Sequence, residues 1–198
     1  MSHELLAAYV VFAVATLFTP GPNNIMLMAS GLNFGWSRTL PHGFGVPLGF
    51  GFRVLVVGFG LGAFFAAYPV AYEVLKYVGA AYLLYLAWRI ATAAGVHGTA
   101  SRARPFTFLQ AAAFQWVNAK AWVMAIGAVT AYAGVAPFPY NTMLIAAIFA
   151  LFGVASSFTW VLFGTGLSRI VTDPRSIRIF NLVMAALLAA SLIPVFLE

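Results

Sequence analysis

Residues 4–33 read ELLAAYVVFAVATLFTPGPNNIMLMASGLN, and Glu4 holds the single charge of the stretch. A helix needs about 20 mostly apolar residues to cross the hydrocarbon core of a bilayer, and this run exceeds that. Its middle breaks the pattern. Thr19-Pro20-Gly21-Pro22-Asn23-Asn24 puts two prolines, a glycine and two asparagines where a plain anchor needs none. Each proline removes a backbone donor and crowds the preceding turn. Carbonyls that lose their partners cannot face lipid, so the break must be buried in protein or line a polar cavity. A packed and satisfied kink is the plainer alternative.

Composition places the rest of the chain in the same solvent. Of 198 residues, 63% are hydrophobic and 7% charged, where soluble domains run at roughly 25% charged. A water-soluble fold of this size could not hide so much apolar surface. The net charge of +6 does not mark a nucleic-acid partner. The basic residues stand singly, mostly at the ends of apolar runs, which is how topology signals are placed. With no cysteine there are no disulfides, thiolate metal sites or thiol chemistry, and no cofactor or metal is expected. Leu5–Phe18 has the look of a signal-peptide core, but no basic residue precedes it and no small-x-small cleavage site follows. It is read as a first span, kept in the mature protein.

About six segments are long and apolar enough to cross a bilayer. They are roughly Glu4–Asn33, Gly43–Ala67, Val70–Ala94, Phe106–Ala133, Tyr140–Leu167 and Ser176–Leu197. The fold class is all-α and polytopic. Arg38, Arg89, Arg102, Arg104, Arg169, Arg175 and Arg178 flank connections on one side, and only Lys76 faces them from the other. Lys and Arg gather on the cytoplasmic face, so both termini are expected in the periplasm of a bacterial inner membrane.

The fourth span repeats the theme of the first. Gln115-Trp116-Val117-Asn118-Ala119-Lys120-Ala121-Trp122 lies near its middle. A lysine at that depth is costly unless it meets a cavity or a partner; snorkelling to the interface is the alternative. Spans 1 and 4 each open a block of three, Asn23 and Asn118 sit at similar depths, and an odd block length turns the second block upside down. The chain therefore reads as one transporter domain, 1–198, of two inverted three-helix repeats, about 4–94 and 106–197, with helices 1 and 4 interrupted near the midplane. In span 2, Gly43, Gly45, Gly49, Gly51, Gly58, Gly60 and Gly62 suit close helix approach or a sliding surface. Arg53 lies about 15 Å into that span, where it either snorkels or faces a central cavity.

These residues resemble the LysE/RhtB family of amino-acid exporters. Thr19-Pro20-Gly21-Pro22-Asn23 is similar to that family's first-helix signature, and Asn118-Ala119-Lys120-Ala121 to its Asn-Pro-Lys-type fourth-helix motif, with Ala119 where proline is usual. Gly79-Ala80-Ala81-Tyr82-Leu83-Leu84-Tyr85-Leu86-Ala87-Trp88 is similar to its third helix. Pro22-Asn23-Asn24-Ile25 and Phe114-Gln115-Trp116-Val117-Asn118 look most like the cysteine/O-acetylserine exporter branch. The resemblance implies export of amino acids or close derivatives, driven by the proton motive force. Ala119 implies a fourth span less interrupted than in relatives, and Arg53 a different substrate preference.

Physically, the helix that starts at Pro22-Asn23-Asn24 presents unpaired N–H groups and a positive dipole end, and Lys120 and Arg53 add charge nearby. A substrate carboxylate fits there. The α-ammonium needs acceptors: the carbonyls before Pro20 and Pro22, or Asn23, Asn118 and Gln115. The candidate substrate-binding set is thus Pro20, Gly21, Pro22, Asn23, Asn24, Arg53, Gln115, Asn118 and Lys120. Glu4, Glu73, Asp173 and Glu198 lie near span ends and His42 at a cytoplasmic boundary, so Lys120 is the proton-coupling candidate by elimination. The expected partners are a small amino-acid substrate and membrane lipids, with a homo-oligomer left open. A channel or scaffold is the alternative. An intramembrane serine protease would want Gly-x-Ser-Gly, but Met28-Ala29-Ser30-Gly31 lacks the first glycine and His97 falls in a loop.

Overall fold

The computed structural model describes residues 3–93, 104–193 and Phe196. Ala94, His97, Arg102, Leu197 and Glu198, all used in reading the sequence, lie outside the described residues. Every long element is helical: α1 His3–Phe18, α2 Pro22–Val56, α3 Gly62–Ala67, α4 Pro69–Ala91, α5 Phe108–Phe114, α6 Ala119–Ala131, α7 Tyr140–Ile170 and α8 Pro174–Ala190.

Helix α1 stops at Phe18 because Pro20 and Pro22 have no N–H to offer the preceding turn. The helix restarts at Pro22, with Gly21 extended at φ −174°. Further along α2, Gly35 takes φ 75° and ψ 175°, a left-handed conformation that favours glycine. The chain reverses there. Ser30 Oγ lies 2.9 Å from His42 Nδ1, whereas twelve residues of straight helix would separate them by about 18 Å. α2 is therefore a hairpin of two arms, 22–34 and 36–56.

This corrects the expected boundary. No open loop separates Asn33 from Gly43, because one residue of left-handed backbone makes the turn and the polar residues after it wind into the second arm. Thr39 Oγ1 closes the turn by donating to Gly35 O at 2.7 Å and Ser30 O at 3.2 Å. His42 is fully buried within the protein, its ring 5.0 Å from that of Phe106.

Three registers position the site. α1 and the first arm both follow α7, in one direction. Tyr9 Oη donates to Ile145 O at 2.6 Å, Ser156 Oγ to Leu17 O at 2.8 Å, and a Cβ on Gly164 would strike Met28 O. The contacts advance in step along both chains, so the axis continues across the break. The second arm follows α5 in parallel: a Cβ on Gly45 would meet Phe108 O at 2.5 Å and one on Gly49 would meet Ala112 Cα at 2.5 Å. Those glycines serve close packing. α4 and α8 run antiparallel, with Asn181 Nδ2 on Ala93 O at 2.9 Å and the rings of Tyr77 and Phe196 6.0 Å apart.

Pro22–Leu61, Glu73–Ala91 and Tyr140–Ile170 are long and apolar enough to cross a membrane, and His3–Phe18 and Ala119–Ala131 are shorter apolar helices. The outward side chains are apolar too: Leu109 is 75% exposed, and Val11 and Leu151 68%. Such a surface belongs in lipid, and the fold is that of a multi-pass membrane protein. Arg38, Arg89, Arg104, Arg169, Arg175 and Arg178 all stand at one end of the bundle, the end where Asn33 pairs with Asn181.

Candidate functional site

Two helix breaks face each other across the bundle. The first is Thr19-Pro20-Gly21. Its freed carbonyls are bonded by side chains: Leu17 O accepts from Asn24 Nδ2 at 3.0 Å and Ser156 Oγ at 2.8 Å. Thr19 O accepts from Asn24 Nδ2 and from Lys120 Nζ, both at 2.9 Å. Gly21 O accepts from Ile25 N at 3.0 Å. The carbonyls before Pro20 and Pro22, expected to receive a substrate ammonium, are thus already engaged.

The second break spans Gln115 to Asn118. An interruption was expected here, with Ala119 where proline is usual in the family it resembles. α5 ends at Phe114, and Asn118 is extended at φ −85° and ψ 106° before α6 begins. The reason is visible in its partners. The last N–H groups bond three residues back, Gln115 to Ala112, Trp116 to Ala113 and Val117 to Phe114. The carbonyls so released find side-chain donors. Trp122 Nε1 donates to Trp116 O at 2.9 Å, and Arg53 Nη1 donates to Gln115 O and, at 3.4 Å, to Asn118 O. The Arg53 guanidinium also lies 3.6 Å from the Trp122 ring centroid. Side chains hold this break without a proline.

An amide pair joins the two breaks. Asn23 Nδ2 donates to Gln115 Oε1 at 2.9 Å, and Gln115 Nε2 returns a bond to Asn23 Oδ1 at 3.0 Å. Beside it lies a cavity of about 40 Å³. Gly21, Pro22, Asn23, Asn24, Asn118 and Lys120 line it; Pro20, Arg53 and Gln115 do not. Lys120 crosses directly over Gly21, where a Cβ would meet its Cδ at 3.0 Å and its Nζ at 3.1 Å. Asn118 Oδ1, buried, accepts no hydrogen bond among the described residues. Lys120 and Asn118, at the start of α6, thus share the lining with an apolar wall of Val46, Phe50 and Met124.

Reading the sequence missed that wall, and missed Thr16, Ser156 and Ser157, which line the cavity as well. Adjacent hydroxyls in the middle of an apolar span were the available signal. Buried His42 also reopens the elimination that left Lys120 as the sole deep titratable group.

The profile of one protein family, described as LysE type translocator, matches residues 14–195. The chain is similar to the cysteine/O-acetylserine efflux protein of Escherichia coli strain K12, 29% identical over 202 residues, spanning 99% of this chain and 100% of that protein. The protein of the same name from Shigella flexneri is likewise 29% identical with the same coverage, and that of Escherichia coli O1:K1 is 28% identical. No solved structure matches the chain significantly.

Proposed function

The chain belongs to the LysE type translocator family, and on that premise we propose that it exports small zwitterionic amino acids or close derivatives from the cytoplasm by alternating access. One observation carries the reading: Lys120 and Asn118, whose buried Oδ1 accepts no hydrogen bond among the described residues, both line a single cavity between two broken helices. Lys120 takes the carboxylate and Asn118 Oδ1 the α-ammonium. Among the described residues the lining contains no acidic side chain, which favours a neutral side group over a cationic one, in keeping with the cysteine and O-acetylserine in the relatives' names. The cavity has room for about three waters, so loading requires it to widen.

The architecture in this reading is six crossings in two inverted repeats: α1 with the first arm, the second arm with α3, α4, α5 with α6, α7, and α8. The pairing supports it. Crossing 1 lies along crossing 5 in the same direction, as crossing 4 lies along crossing 2, the relation a two-fold axis in the membrane plane would impose. The arginine-bearing end is assigned to the cytoplasm and both termini to the periplasm. Export is coupled to the proton motive force through Lys120, with His42 the second carrier to test.

Reconstituted vesicles decide among the function classes. Saturable movement of O-acetylserine or cysteine, accelerated by an imposed pH gradient and leaving the compound intact, is expected. Non-saturating flux would make the protein a channel, consumption of the compound an enzyme, and no movement of any amino acid would refute export. An alkaline phosphatase fusion at the C-terminus should be active; a fluorescent GFP fusion there would invert the topology.

A further inference from the structure

The arginine-bearing end holds a second cavity, of about 360 Å³, far larger than the central one. Ser30 and Asn33 of the first arm, Tyr85, Trp88 and Arg89 of α4, and Arg104 form much of its wall, and no acidic residue lines it among the described residues. Arg89 is held in place. Its Nη1 donates to Gln110 Oε1 at 3.3 Å, its Nη2 to Arg104 O at 2.5 Å, and its guanidinium lies 4.6 Å from the Phe106 ring centroid. A guanidinium has five N–H donors, so most remain for a ligand. The side chain of Arg104 bonds no described residue.

The neutral groups of the wall are fixed as well. Ser30 Oγ is paired with His42 Nδ1 at 2.9 Å, and Asn33 exchanges two amide bonds with Asn181 at 2.6 and 2.8 Å. Two guanidiniums in a concave site without an acid attract an anion and suit a carboxylate's two oxygens. The space accepts a whole small amino acid. The first arm links the two cavities: Pro22, Asn23 and Asn24 line the central one, Ser30 and Asn33 this one.

We propose that this cavity is a second substrate site, where Arg89 and Arg104 take the carboxylate of a zwitterion before it passes to Lys120. The order of the two sites rests on the export reading; the binding does not. The test uses the full chain in phosphatidylcholine vesicles, with O-acetylserine as probe and its methyl ester as the carboxylate-free control. In Arg104→Gln, KM for loading from the arginine-bearing face should rise about tenfold, or about 1.4 kcal/mol, with the maximal rate kept and KM from the opposite face unchanged. Arg89→Gln should do the same, and Arg104, whose side chain bonds no described residue, guards against misfolding. Binding of the ester should not distinguish wild type from variant. A wild-type KM in Arg104→Gln overturns the proposal. So does a defect that appears only when phosphatidylglycerol is added, which would give the cavity to a lipid headgroup. If wild type transports nothing, the export reading fails instead. Equilibrium binding of the probe then still decides this site: it should be lost in Arg104→Gln and kept in Lys120→Met, and the reverse pattern refutes it.

Discussion

Replacing Arg53 by leucine should loosen the second helix break, and the size of the effect can be worked from its contacts. Arg53 is completely buried. It donates to Gln115 O and Asn118 O and stacks 3.6 Å from the Trp122 ring centroid. A hydrogen bond from a charged donor contributes about 1.5–3 kcal/mol, and a desolvated cation–π contact about 2 kcal/mol. Asn118 O keeps Trp122 N–H at 3.2 Å, so the 3.4 Å contact adds little. Since such terms overlap, the net loss is about 4 kcal/mol. For a chain of this length each kcal/mol lowers Tm by about 2–4 °C, so a fall of roughly 8–16 °C is expected. Thermal unfolding of the purified protein in detergent, without substrate, reads it. Arg53→Lys should recover only part, because an ammonium cannot lie flat on the indole while reaching carbonyls on two residues. An Arg53→Leu variant that melts with the wild type would refute the clasp.

Lys120→Met should insert and fold yet lose transport, and Lys120→Arg should not restore it if deprotonation is required, because arginine stays charged; wild-type flux in the Met variant removes Lys120 from the mechanism. Gly21→Ala brings a Cβ to 3.0 Å from Lys120 Cδ and 3.1 Å from its Nζ, so the lysine must shift; flux should fall about tenfold or more with little change in melting, and unchanged flux means that the seat of Lys120 is not critical. Asn118→Ala should raise KM about tenfold by removing the ammonium acceptor, and a KM equal to wild type would reassign that role. His42→Gln should keep the pH dependence of transport if Lys120 carries the proton, and flatten it if His42 does.

What the sequence made legible followed from chemistry that acts at short range. Two prolines two positions apart leave no route for helical bonding, so the first break could be read directly. The second was read from Gln115, Asn118 and Lys120, but its cause could not be, since it depends on Arg53 and Trp122 arriving from other turns and other helices. The boundary at 34–42 was misplaced for a similar reason: Ser37, Arg38, Thr39 and His42 look like a polar loop until Gly35 is known to reverse the chain alone. The cavity walls from the second arm and α6 were invisible because Val46, Phe50 and Met124 are ordinary apolar residues in apolar runs. Their role comes from register, which one sequence does not state.

The hairpin at Gly35 bears on how the chain enters its membrane. The arm 22–34 rises about 20 Å and α1, 16 residues long, about 24 Å, while the hydrocarbon slab is about 30 Å thick. Neither piece is a competent insertion signal alone. The nascent chain must commit them together, with the second arm following through a one-residue turn that leaves no slack for independent threading. The polar break proposed to serve the solute therefore governs biogenesis too, and substitutions at Gly35 should surface first as stalled integration and degradation, before any transport defect could be measured.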